Sequence, residues 1–126
     1  MQCQAEINDK MRAILVDWLI EVHTKFKLQR ETLYITITII DRYLASHQCT
    51  KGELQLVGVS SMLIACKYEE IYPPELKDFV YITDRAYTKE DVLQMEFRIL
   101  SVLQFDLTFP TALRFLERFT KVIGED

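Results

Sequence analysis

Between Leu54 and Glu70 the chain reads Leu-Gln-Leu-Val-Gly-Val-Ser-Ser-Met-Leu-Ile-Ala-Cys-Lys-Tyr-Glu-Glu, and at helical spacing its apolar residues fill most of the circumference. A helix apolar nearly all round belongs in the middle of a bundle, enclosed by others. Gly58, Ser60, Ser61, Ala65 and Cys66 are small enough to let neighbouring helices approach closely. Such packing offsets the roughly 1 kcal/mol that a glycine costs against alanine in a helix interior. Thr50-Lys51-Gly52-Glu53 has the pattern of a capping box at the start of this helix. Pro73-Pro74 forbids its continuation, because neither residue offers an N–H and each restrains its predecessor.

The flanking segments read as further helices. Asn8 or Asp9 caps a helix over Met11 to Phe26. One of its stripes is Met11, Ile14, Leu15, Trp18 and Val22; a second is Ala13, Val16, Ile20 and His23. A surface helix needs only one such stripe, so the other implies a neighbour or a binding surface. Leu33 to Ile40 alternates with period two and is β-branched, which locally favours a strand. The helical spacing of Leu33, Ile37, Ile40 and Leu44, with no hairpin turn following, decides for helix. Glu75 to Ile82 suits a short helix after the prolines, beginning near Pro74. Thr88-Lys89-Glu90-Asp91 opens another, running to about Leu103 with the stripe Val92, Leu93, Glu96, Ile99, Leu100 and Leu103. Phe105 to Pro110 links to one more amphipathic start at Thr111 to Lys121. The expected fold is all-α: a five-helix bundle around a buried central helix, plus the start of a sixth.

Composition narrows the function. A chain of 126 residues is one domain, able to bury about two-thirds of its unfolded surface. A net charge of −4 without a basic stripe argues against nucleic acid as the main partner. The longest apolar run is too short and interrupted to span a membrane. Cys3, Cys49 and Cys66 are odd in number and widely spaced, which reads as reduced thiols, not a disulfide framework or a zinc site. No metal or cofactor is expected.

Catalytic chemistry has little to stand on. His23 and His47 are the only histidines, and Cys66 lies in an apolar helix where a thiol behaves as a small hydrophobe. Glu69 and Glu70 are adjacent, so on a helix they point about 100° apart, a poor acid–base pair. No glycine-rich phosphate loop occurs. Four charges instead stand out against apolar surroundings: Arg12, Asp41, Lys67 and Glu96. A buried charge must be paired or hydrogen-bonded. Either all four pair inside the bundle, or Arg12 and Asp41 form a structural ion pair while Lys67 and Glu96 meet a partner protein.

Several blocks, in order and over about residues 8–119, resemble the N-terminal cyclin box of mitotic cyclins. They are Met11-Arg-Ala-Ile-Leu-Val-Asp-Trp18, Ile40-Asp-Arg-Tyr-Leu44, Leu54-Gln-Leu-Val-Gly58 and Ala65-Cys-Lys-Tyr-Glu-Glu-Ile-Tyr-Pro-Pro-Glu75. Tyr81-Ile-Thr-Asp84, Met95-Glu96 and Phe105-Asp-Leu107 extend the match, and Val22-His23 with Lys25-Phe26-Lys27-Leu28 leans to the B type over the A type. The resemblance implies a lead-in over 1–9, a cyclin box over 10–108 and the truncated start of a second box over 109–126. It implies a regulatory subunit, not an enzyme, that binds and allosterically activates a cyclin-dependent protein kinase in the nucleus and cytoplasm. The kinase-facing residues would be Lys67, Tyr68, Glu69, Glu70, Ile71, Glu96, Phe105 and Leu107. A groove at Met11, Ile14, Leu15, Trp18, Glu21 and Gln55 would dock Arg-x-Leu substrates or inhibitors; otherwise Trp18 is simply core. Tyr68 stands where relatives often have Phe, and Cys66 where Ser is common. Only the beginning of a second box and no N-terminal degradation signal are visible. The alternative is a cyclin-like helical scaffold or transcription-factor core without kinase activation.

Overall fold

The computed structural model describes residues 7–104, and among them every regular element is an α-helix. In chain order these are α1 (Asp9–Phe26), α2 (Arg30–Ser46), α3 (Lys51–Glu69), α4 (Leu76–Ile82) and α5 (Lys89–Val102). The sixth helical start lies outside the described residues. Helix α3 is the hub, packing most extensively against α2 and α5 and also meeting α1 and α4. Its residues from Leu56 to Cys66 are buried without a break, as an apolar circumference requires. At Gly58 a methyl group would stand 2.9 Å from Leu15 Cδ1. Helix α1 therefore lies against α3 at a distance that alanine would already crowd.

The ends follow their capping chemistry. Asn8 Oδ1 accepts the Met11 N–H at 2.8 Å and starts α1. Lys27 closes α1 in the left-handed conformation at φ 57°, and its N–H reaches the carbonyls of the last turn. Glu53 Oε1 accepts the Thr50 N–H at 3.4 Å, the return arm of the capping box at α3. Thr88 Oγ1 accepts from Asp91 N–H while Asp91 Oδ2 accepts from Thr88 N–H, the same device at α5. Helix α4 begins one residue later than the prolines alone indicate, with Glu75 as its N-cap. The Tyr87 hydroxyl donates to the Gly52 carbonyl at 2.8 Å and ties the turn before α5 to the start of α3.

Three packing faces differ from their expected stripes. In α1 the deepest residue is Leu19, fully buried, with Leu15 and Val22 beside it. Neither expected stripe contained Leu19; Ile14 and Ile20, which they did contain, are exposed. In α2 the core face is Thr32, Ile35, Thr36, Ile39, Ile40, Tyr43 and Leu44, while Leu33 and Ile37 sit half-buried on its flank. Threonine joins the core because Thr36 Oγ1 donates to the Thr32 carbonyl at 2.7 Å, leaving its methyl group for packing. In α5 Met95 is buried and Leu93 is exposed, the reverse of the expected stripe.

Candidate functional site: two docking surfaces

The first surface lies where the C-terminal end of α3 meets α5. Lys67 Nζ donates to Glu96 Oε2 at 2.8 Å, bridging the two helices. The lysine side chain is 55% exposed and the carboxylate 12%. Glu96 therefore interrupts an apolar stripe because α3 delivers a cation to it. Lys67 and Glu96 thus pair with each other, as Arg12 and Asp41 do, with the lysine end of this bridge open to solvent. Just past α3, Ile71 and Tyr72 are 63% and 91% exposed, a large uncovered apolar step.

The other expected contributors go elsewhere. Glu69 is only 2% exposed, so its side chain belongs to the interior and not to the outer surface. Glu70 Oε2 accepts the Gln29 N–H at 2.7 Å and the Thr32 hydroxyl at 2.5 Å. That carboxylate caps the first turn of α2, where free N–H groups and the positive end of the helix favour an anion. Gln29 offers no side-chain cap of its own. Tyr68 is half-buried against the core. Phe105 and Leu107 lie outside the described residues. The capping role of Glu70 had no sequence signal, because its receiving groups, Gln29 and Thr32, are remote in the chain. Glu70→Ala is expected to remove about 2 kcal/mol of stability, the scale of hydrogen bonds to a charged acceptor. Urea denaturation checks it; an unchanged midpoint would show that α2 holds its first turn without Glu70.

The second surface is a groove of about 370 Å³ between α1 and α3, lined by Met11, Ile14, Leu15, Trp18, Lys51, Leu54 and Gln55. Five of the six expected groove residues are there. Glu21 is exposed on α1, beyond Trp18, and does not line it. Lys51 and Leu54 were missed as groove residues, since the first read as part of a cap and the second as core. On the adjoining flank of α1, Arg12 Nε and Nη2 donate to Asp41 Oδ1 and Oδ2, both at 2.8 Å. This fork joins α1 to α2, and the carboxylate's hydrogen bond raises the guanidinium pKa against the opposing effect of burial.

No reactive centre accompanies these surfaces among the described residues. Burial, aided by the Glu70 carboxylate, pushes the Cys66 thiol up to about 12, so it stays protonated at neutral pH. His23 Nε2 stands 2.8 Å from the Gln29 carbonyl oxygen, and the His47 ring lies tilted against Tyr43. No His, Cys, Asp and Glu grouping able to hold a metal ion occurs among the described residues. No helix among them is long and apolar enough to cross a membrane.

The described residues thus form a helical bundle with an ion-pair surface at one place and an apolar groove at another. The chain belongs to the cyclin N-terminal domain family, whose pattern residues 1–108 match. It is 64% identical over 123 residues to the G2/mitotic-specific cyclin S13-6 of Glycine max, covering 98% of this chain and 27% of that protein. It is 54% identical over 121 residues to the G2/mitotic-specific cyclin-B2 of Oryzias latipes, covering 96% of this chain and 31% of the relative. The cyclin-A2 of Xenopus laevis is 55% identical over 122 residues, covering 97% and 29%. A viral cyclin from herpesvirus saimiri, known by X-ray structure, superposes with a TM-score of 0.83 at 28% identity, covering 95% of this chain and 52% of that one. The chain thus spans between about a quarter and a half of these relatives' length.

Proposed function

We propose that this chain is the kinase-binding part of a mitotic cyclin, a regulatory subunit that performs no chemistry itself. The observation that carries the reading is the Lys67–Glu96 bridge across α3 and α5 beside exposed Ile71 and Tyr72. A half-exposed lysine and a carboxylate it orients offer a donor and an acceptor in fixed positions, next to apolar surface a partner can cover. A protein kinase works only when its αC helix is held inward, so that a Lys–Glu pair organises the ATP phosphates. A rigid helical surface that binds the inward state alone shifts the equilibrium towards it. The α1–α3 groove serves recruitment: its apolar lining takes the leucine of an Arg-x-Leu segment, and Glu21, exposed one turn beyond Trp18, meets the arginine. The reduced buried thiols Cys49 and Cys66 fit the nuclear and cytoplasmic compartments proposed for it.

The test is phosphorylation of a histone substrate by a purified cyclin-dependent kinase with and without this chain, alongside a pull-down. Stimulation supports an activator. Binding without stimulation assigns activation to residues outside this chain. Neither, across several such kinases, overturns the reading in favour of a helical scaffold. In the same assays Trp18→Ala is expected to cost about 2 kcal/mol of Arg-x-Leu peptide affinity, roughly 30-fold, because buried aromatics anchor such contacts. Kinase binding should stay near its original value; equal losses at both would refute a separate groove.

A further inference from the structure

A third concavity, outside both surfaces above, lies on α4 and the turn that leads into α5. It has a volume of about 380 Å³ and is lined by Lys77, Asp78, Val80, Tyr81, Arg85 and Lys89. We infer that this pocket binds a phosphorylated serine or threonine side chain in a partner peptide, held between Arg85, Lys89 and Lys77. The inference rests on the kinase-subunit reading only for where such peptides come from.

Three cations face one carboxylate in the lining, on a chain whose net charge is −4. The carboxylate is already engaged: Asp78 Oδ2 accepts the Glu75 N–H at 2.9 Å and caps its own helix. Lys77 holds only Glu75, at 3.3 Å, with both side chains about 70% exposed. An ion pair so solvated exchanges readily for a stronger anion. Arg85 and Lys89 form no ion pair among the described residues. Asp84 and Arg85 both hold left-handed backbone, at φ 57° and 60°, a conformation that aspartate tolerates and arginine rarely adopts. This turn carries Arg85, which is exposed and lines the pocket. Lys89 is the first residue of α5, whose first turn also carries Glu90 and Asp91, with Asp91 engaged in its own capping box. Tyr81, 67% exposed, brings a hydroxyl donor. A phosphate monoester carries close to two negative charges and three acceptor oxygens, against one charge for a carboxylate. Its three oxygens can serve an arginine fork, two ammonium groups and a hydroxyl together.

The experiment measures binding of a fluorescently labelled phosphothreonine peptide to the intact chain, against the unphosphorylated peptide and a Thr→Glu version. The phosphopeptide should bind about tenfold or more tighter than either, as roughly one to three new charge-assisted hydrogen bonds allow. The preference should shrink as salt rises. Arg85→Ala with Lys89→Ala should abolish it while leaving helicity and kinase stimulation unchanged, since both side chains are exposed. Equal affinity for all three peptides would overturn the inference. So would a phosphate preference that survives the double variant, or one matched in full by inorganic phosphate at equal concentration. Kinase stimulation without phosphopeptide binding refutes the pocket alone; phosphopeptide binding with neither kinase stimulation nor kinase association, across several such kinases, refutes the kinase reading and leaves the pocket standing.

Discussion

Replacing Lys67 and Glu96 together by alanine is expected to weaken kinase association by about 30-fold or more, with the fold left intact. The two magnitudes come from different sides of the same pair. Within the free chain the bridge joins a lysine 55% exposed to a carboxylate 12% exposed. A pair with one solvated end contributes about 1 kcal/mol or less to stability. Once a kinase covers the surface, both groups are desolvated, and removing such a charge costs about 2–5 kcal/mol of affinity. Pull-down titration and thermal melting separate the two. The swap Lys67→Glu with Glu96→Lys sharpens the result, because it keeps an internal pair and reverses every contact with a partner. It should melt like the parent and bind no better than the double alanine variant. A swapped chain that binds normally would mean that the pair only braces α3 against α5.

Phe79→Ala is expected to cost about 3–5 kcal/mol, the range for emptying a fully buried aromatic site. Phe79 is the one buried residue of the seven-residue α4, and it is fully enclosed. Its ring meets Phe26 edge to face, with centroids 5.4 Å apart and planes at 78°. Such a pair adds about 0.5–1.5 kcal/mol beyond its buried area. A helix this short has no stability of its own, so α4 stays helical because Phe79 is anchored in the core. Against a typical total of about 5–15 kcal/mol, the loss is large enough to populate unfolded chain near body temperature. Urea denaturation gives the magnitude, and a double-mutant cycle with Phe26→Leu isolates the ring contact. Phe79→Leu should recover most of the loss; a cost below about 1 kcal/mol for the alanine variant would show that α4 is held by other contacts.

The helices were legible because each carries its own signal. Caps at Asn8, Thr50 and Thr88, the proline pair, and the unbroken apolar run in α3 all act within a few residues. Even the strand-like Ile-Thr alternation in α2 resolves correctly, since its helical spacing runs longer than its alternation. Which side of each helix faces inward was less legible. Helix α1 has more apolar residues than one interface uses, and only the position of α3 selects Leu15, Leu19 and Val22. Buried threonines disguised the face of α2, because a local carbonyl satisfies a hydroxyl whose residue type reads as polar.

The groove residues came from the resemblance to the cyclin box, with which the surplus apolar surface on α1 agreed, and Met11, Ile14, Leu15, Trp18 and Gln55 line it. Lys51 and Leu54 complete it from the start of α3, where cap and core signals masked a second use. Glu69 and Glu70 show the limit most plainly. They are identical neighbours in sequence, yet one is enclosed and the other reaches the first turn of α2. The partners of Glu70 are 41 and 38 positions away, and no local pattern encodes them.

The floor of the α1–α3 groove can be adjusted from behind. Leu15 lines the groove on one side and rests on Gly58 on the other, where even a single methyl would come within 2.9 Å of it. Its terminal carbons are the movable part of that contact, so a small side chain at position 58 would lift the leucine outward and leave a shallower groove. The shape of the α1–α3 groove is then open to change through a residue that does not line it.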